Sequence, residues 1–82
     1  MPRKRKRTAL DVFGENVATA RRAAELSQAD LGRRLGGGMT NPYISKVENG
    51  HANLTITQAD RFAAALGLPL FHLFDPKGLG DA

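Results

Sequence analysis

The chain has 82 residues, no cysteine and 41% hydrophobic residues. That allows one core burying roughly 60% of the unfolded chain's surface and excludes a multi-domain enzyme, disulfides, thiolate metal sites and a cysteine nucleophile. The net charge of +4 is unevenly placed: Arg3, Lys4, Arg5, Lys6 and Arg7 hold five of the twelve basic residues, and from Thr8 onward seven basic residues face all eight acidic ones, a net of −1. Blocks of five or more like charges stay solvated, and basic ones serve either as arms toward nucleic acid or as solubilising tails. No apolar run approaches the about 20 residues of a membrane helix, and the N-terminus lacks the apolar segment of a secretory signal. A cytoplasmic protein with no membrane partner is expected.

Leu10, Phe13, Val17, Ala20 and Ala24 recur at spacings of three and four, which predicts an amphipathic helix over about Val12 to Glu25. Ser27-Gln28-Ala29-Asp30 reads as a capping box with aspartate in the glutamate position, opening a short helix that ends at Gly36-Gly37-Gly38. Thr40-Asn41-Pro42 offers a cap and a proline tolerated in a first turn, so a third helix runs to about Glu48 and stops at Asn49-Gly50. Either Thr55 or Thr57 caps a fourth helix with Ile56, Ala59, Phe62, Ala63 and Leu66 on one face, ended by Gly67. A fifth, very short helix lies within Leu68 to Phe74, with Pro69 in its first turn and Asp75-Pro76 as its stop. No strand alternation of useful length appears. The expected fold is all-α: a basic arm at 1–9, a folded domain at 10–75 and a frayed tail at 76–82.

Two short helices joined by a glycine-containing turn fit a helix-turn-helix, whose second helix enters the DNA major groove. Three segments carry a family resemblance: Leu-Ser-Gln-Ala-Asp-Leu at 26–31, Tyr-Ile-Ser-Lys-Val-Glu-Asn-Gly at 43–50 and Ala-Ala-Leu-Gly-Leu at 64–68. In this order they resemble the Cro/repressor-type, or Xre-type, helix-turn-helix family from about Phe13 to Phe74. The resemblance implies a lambda-repressor-like domain of five helices. One departure stands out: seven residues, Gly36 to Pro42, separate Leu35 from Tyr43, two more than the family's usual turn. A flexible loop absorbs such an insertion cheaply, but the entry angle of the recognition helix depends on it.

The resemblance also implies roles. Thr40, Asn41, Pro42, Tyr43 and Lys46 fall where relatives read bases. Asparagine can pair with adenine, lysine can donate to guanine, and threonine can meet an edge or a thymine methyl. Asn41 is equally a plain N-cap, and Tyr43 is either a DNA contact or a core aromatic. Gln28 resembles the family's phosphate donor at a helix N-terminus, with Asn49 and His51 as further phosphate contacts. Ser27, Ser45 and Asn53 are weaker ones, and Ser27 is foremost a cap. Arg21 and Glu48 match an arginine–glutamate pair that fixes the first helix to the recognition helix. Leu26, Leu31, Leu35, Ile44, Val47, Ile56, Phe62, Leu66, Leu70 and Phe74 are expected in the core. Phe71 beside Leu68 suggests an apolar patch for a two-fold dimer, the alternative being a better-packed last helix.

His51 and His72 stand apart from any serine–carboxylate pair or metal-ligand spacing, and Gly36-Gly37-Gly38 is not followed by Gly-Lys-Ser/Thr. No enzyme activity, cofactor or metal is therefore expected. The expected function is sequence-specific double-stranded DNA binding as a homodimeric transcription regulator. Restriction–modification controller proteins and small phage or plasmid regulators resemble the chain alike, in a nucleoid-associated bacterial or phage setting. An antitoxin-like protein partner is the alternative. A nuclear-localisation reading of the arm fits such a setting poorly.

Overall fold

The structure, a computed structural model, describes residues 7–36 and 41–78. Thr40, the arm residues Arg3, Lys4, Arg5 and Lys6, and the tail from 79 lie outside the described residues. Among the described residues all regular structure is helical: α1 (Ala9–Ala23), α2 (Gln28–Leu35), α3 (Asn41–Glu48), α4 (Ile56–Leu66) and α5 (Leu70–Leu73).

Three helices start from reciprocal capping boxes. The Thr8 hydroxyl accepts from the Asp11 amide at 3.1 Å, and the Asp11 carboxylate accepts from the Thr8 amide at 2.9 Å. This box starts α1 three residues ahead of Val12, where apolar periodicity alone places it. Ser27 and Asp30 form the second box, and the Ser27 backbone N–H, followed by its hydroxyl, holds the Asp30 carboxyl below its ordinary pKa. Between the two candidate caps of α4, the structure selects Thr55, which pairs with Gln58. In α5 the helix shrinks to four residues, with Pro69 at its N-cap making no side-chain cap bond.

α1, α3 and α4 end alike, in a left-handed residue flanked by a pair of backbone hydrogen bonds. At α3 and α4 that residue is Gly50 (φ 75°) or Gly67 (φ 71°); at α1 it is Glu25 (φ 59°). α1 therefore stops at Ala23, and Glu25 makes the turn beyond it.

The core gathers Phe13 and Val17 from α1, Leu31 and Leu35 from α2, Ile44 and Val47 from α3, Phe62 from α4 and Leu73 from α5. Phe13 is its centre, edge-on to Phe62 at 5.8 Å and tilted against Phe74 at 5.1 Å. Leu66, Leu70 and Phe74 are half-buried at the edge of this core, and Leu26 is half-buried too. Ile56 corrects the sequence expectation. It shares the α4 periodicity but is 71% exposed, because the first turn of α4 projects past the core and burial begins one turn later, at Ala59.

Asn16 is 3% exposed on the inner side of α1. Its amide donates to the Leu73 and Asp75 carbonyls, both at 3.0 Å, and to His72 O at 3.5 Å. A single buried amide thus satisfies the end of α5, a helix too short to hold itself.

Candidate nucleic-acid interface

α3 crosses α1 and α2 and buries Ile44 and Val47, one turn apart, leaving Asn41, Pro42, Lys46 and Asn49 exposed. Positions 42, 46 and 49 fall on one helical stripe, so the outer face presents a proline ring, an ammonium and an amide to solvent. Gly14 decides how closely α3 lies on α1. A Cβ there would stand 2.2 Å from Val47 O and 2.7 Å from Glu48 O, so only a glycine lets the end of α3 rest on the α1 backbone.

The same end of α3 carries a polar hub. Arg21 Nε donates to Glu48 Oε2 at 2.6 Å and Arg21 Nη2 to Oε1 at 3.1 Å. Arg21 Nη1 donates to the Leu26 carbonyl at 2.8 Å. The two side chains are only 11% and 6% exposed, and the hydrogen bond to Glu48 raises the Arg21 pKa, so the guanidinium stays charged. Gln28 Nε2 donates to Glu48 Oε1 as well, at 3.2 Å. Glu48 therefore joins α1, the first residue of α2 and the last residue of α3.

The hub changes what α2 can offer an anion. One amide hydrogen of Gln28 is committed to Glu48, which leaves the other for a phosphate. The Ser27 hydroxyl oxygen accepts from the Asp30 amide, and the Asp30 carboxylate already sits at this N-terminus, so the free backbone donors there are reduced to the first two residues of the helix. Asn49 Nδ2 donates to Ser45 O at 2.9 Å and Ser45 Oγ at 3.4 Å. His51 and Asn53 are exposed in the loop that follows.

Packing bears on two expected site residues. Tyr43 packs its half-buried ring against the core, with its hydroxyl oxygen buried. Of the two readings the sequence leaves open for Tyr43, this packing is the core contact. Arg7 donates to Glu15 at 2.5 Å and to Pro76 O at 3.5 Å. It belongs to the folded body, its charge matched by Glu15, because the Thr8 cap brings it alongside the first turns of α1.

Phe71 is 70% exposed on α5 with its ring edge-on to His72 at 4.7 Å, while Leu68 is half-buried against the core. Beside them a groove of about 410 Å³ runs between the end of α1 and α4–α5, lined by Ala20, Ala23, Ala24, Leu66, Leu68 and His72. Among the described residues no helix is long and apolar enough to cross a membrane, and no three potential ligands gather as a metal site.

Gly14, Asn16 and the Gln28–Glu48 bond were missed by sequence reasoning. Gly14 carried a signal, since a glycine inside a helix costs about 1 kcal/mol relative to alanine and so marks a close approach. Asn16 carried one too, as a polar residue beside Val17 on the buried face. The Gln28–Glu48 bond had none.

A helix-turn-helix family model matches residues 17–73. The hypothetical transcription factor NHTF from Neisseria has a similar solved structure, with a TM-score of 0.77 and 27% identity over 93% of this chain and 87% of that one. The restriction-modification controller protein C.AhdI from Aeromonas hydrophila has a TM-score of 0.71 and 31% identity over 79% of this chain and 96% of its own. Among curated proteins no relative matches.

Proposed function

The chain belongs to the Xre-type helix-turn-helix family of DNA-binding transcription regulators, and from that premise we propose that it reads a pseudo-palindromic operator as a homodimer, with α3 in the major groove. The observation that carries this reading is the outer stripe of α3, where Pro42, Lys46 and Asn49 stand exposed above an end clamped by Gly14 and Glu48. A rigid helix face whose side chains are turned outward suits base reading.

In this reading Lys46 donates to guanine, Asn41 pairs with adenine, Thr40 meets a base edge or a thymine methyl, and Pro42 makes apolar contact. Phosphates are met by the second amide hydrogen of Gln28, by the Ser27 and Ser45 hydroxyls, and by Asn49, His51 and Asn53. Arg3, Lys4, Arg5 and Lys6 supply the sequence-independent attraction that a body of nearly zero net charge lacks. Leu68 and Phe71 form the two-fold contact that sets two recognition helices about 34 Å apart. The likeness to a controller protein and a transcription factor supports a promoter regulator, working on DNA in a bacterial cytoplasm.

Selection from random duplexes tests the reading. A palindromic consensus with half-sites one helical turn apart is expected, and no enrichment overturns it. Sedimentation of the wild type and Phe71→Ser tests the dimer contact: a dimer that becomes monomeric on substitution is expected, and identical monomeric behaviour removes the patch. Deleting residues 2–6 should weaken all duplexes similarly and flatten the salt dependence, by about 0.9 in log–log slope for each phosphate that the arm no longer neutralises.

A further inference from the structure

Among the described residues two large hydrophobic side chains stand well out of the body, Ile56 and Phe71. Ile56 opens α4, whereas Phe71 stands on α5 beside the groove between the end of α1 and α4–α5. The Phe71 ring lies edge-on to His72 at 4.7 Å and remains 70% exposed, so it flanks the groove that His72 lines without filling it. The fold thus sets an apolar knob next to an apolar hollow and leaves both in water.

The hollow has the size and the chemistry for such a ring. About 150 Å³ of apolar space takes up a benzene molecule, and the groove offers about 410 Å³. Ala20, Ala23 and Ala24 leave room on one wall, Leu66 and Leu68 supply apolar side chains on the other, and no carboxylate, ammonium or guanidinium is among the described residues that line it. The flanks carry two charges of each sign. Arg22 and Glu25 border the alanines, Asp75 and Lys77 follow α5, and all four are exposed and outside any ion pair among the described residues. A second copy therefore meets opposite charges and no net repulsion at this face, although the chain as a whole is +4.

We propose that in the homodimer the Phe71 ring of each copy seats in the groove of the other, over Ala23, Ala24 and Leu68, rather than against the second Phe71. This rests on the homodimer reading above and names what each half of that contact touches. A foreign segment could fill the groove but would leave Phe71 in water, whereas a second copy covers both, because in a two-fold contact every pairing is made twice. Two seated aromatic side chains bury about 300–500 Å². With the walls they cover, that is roughly half of the about 1,600 Å² of a standard interface, and the flanks supply the rest.

The test is complementation between two broken copies. Phe71→Ser removes the knob and keeps the groove; Ala23→Phe fills the groove from an exposed position in the last turn of α1 and keeps the knob. In sedimentation each variant alone is expected to raise the dimer Kd by about a hundredfold, about tenfold for each of the two rings lost. An equal mixture should form a dimer about tenfold tighter than either variant alone, since the Phe71 of the filled copy still finds the open groove of the other. A mixture no tighter than its components overturns the proposal, and so does an Ala23→Phe dimer as tight as the wild type, the result expected if the two rings met each other. If Ala23→Phe does not fold, Ala24→Phe takes its place, with the same outcomes. A wild type that stays monomeric overturns the homodimer reading and the proposal with it, whereas a wild-type dimer that Ala23→Phe leaves intact overturns the proposal alone.

Discussion

Two buried polar groups tie distant parts of this chain together, and they do so differently. Glu48 joins α1, α2 and α3 through a charged pair with Arg21 and an amide bond from Gln28. Asn16 joins α1 to α5 through a neutral amide that donates to backbone carbonyls. Both spare buried groups the cost of going unpaired, but removing one half of a buried ion pair strands a full charge, whereas removing an amide strands only dipoles. The charged hub holds the end of α3, and the neutral one holds the end of α5. The end of α3 is thus held by the connection that is costlier to break.

Four measurements break or sharpen this contrast, from the largest expected effect to the smallest. Glu48→Ala leaves Arg21 charged and nearly buried, and should lower stability by about 3–5 kcal/mol in denaturant melts, more than any substitution on the outer stripe of α3. A small change there would mean that Arg21 rehydrates freely. Asn16→Leu, which keeps the branched heavy-atom skeleton, should cost about 2 kcal/mol by orphaning the carbonyls at the end of α5; a loss equal to that of Glu48→Ala would erase the distinction between the hubs. Glu25→Gly should raise stability by about 0.5–1 kcal/mol, because the left-handed turn after α1 is the one of the three alike endings that lacks a glycine. No gain in melting temperature would mean that the Glu25 side chain offsets its backbone cost.

The smallest effect is a pH dependence. Asp30 has its carboxyl pKa depressed in the folded state, first by the Ser27 backbone N–H. Its contribution is therefore fully present above the unfolded value of 3.8 and is lost as pH falls through the lower folded value. Thermal melts of the wild type and Asp30→Asn should differ at pH 5 and converge toward pH 2. A difference that persists at pH 2 would locate the effect outside this carboxyl.

Five helices, two of the three capping boxes' caps, the glycine stops of α3 and α4 and most of the core follow from local rules, because spacing and capping act within a few residues of each position. Ile56 shows the limit of periodicity: it keeps the phase of α4 yet projects beyond the core, and phase alone says nothing about where a core ends. Arg7 shows the limit of charge counting, since a residue grouped with the arm is drawn onto the body by the Thr8 cap and Glu15. Tyr43 shows the same for site reading, as its position on α3 allows either a groove or a core contact, and only packing buries the hydroxyl.

The sequence by itself determined an all-helical domain and the order of its helices, including the short pair α2 and α3. Tertiary structure alone decided that Gly14 lets α3 rest on α1 and that Glu48 draws in Gln28 as well as Arg21. The reason is physical. Helix starts and stops are set by neighbours along the chain, whereas a close backbone approach or a shared carboxylate exists only once elements far apart in sequence have been brought together.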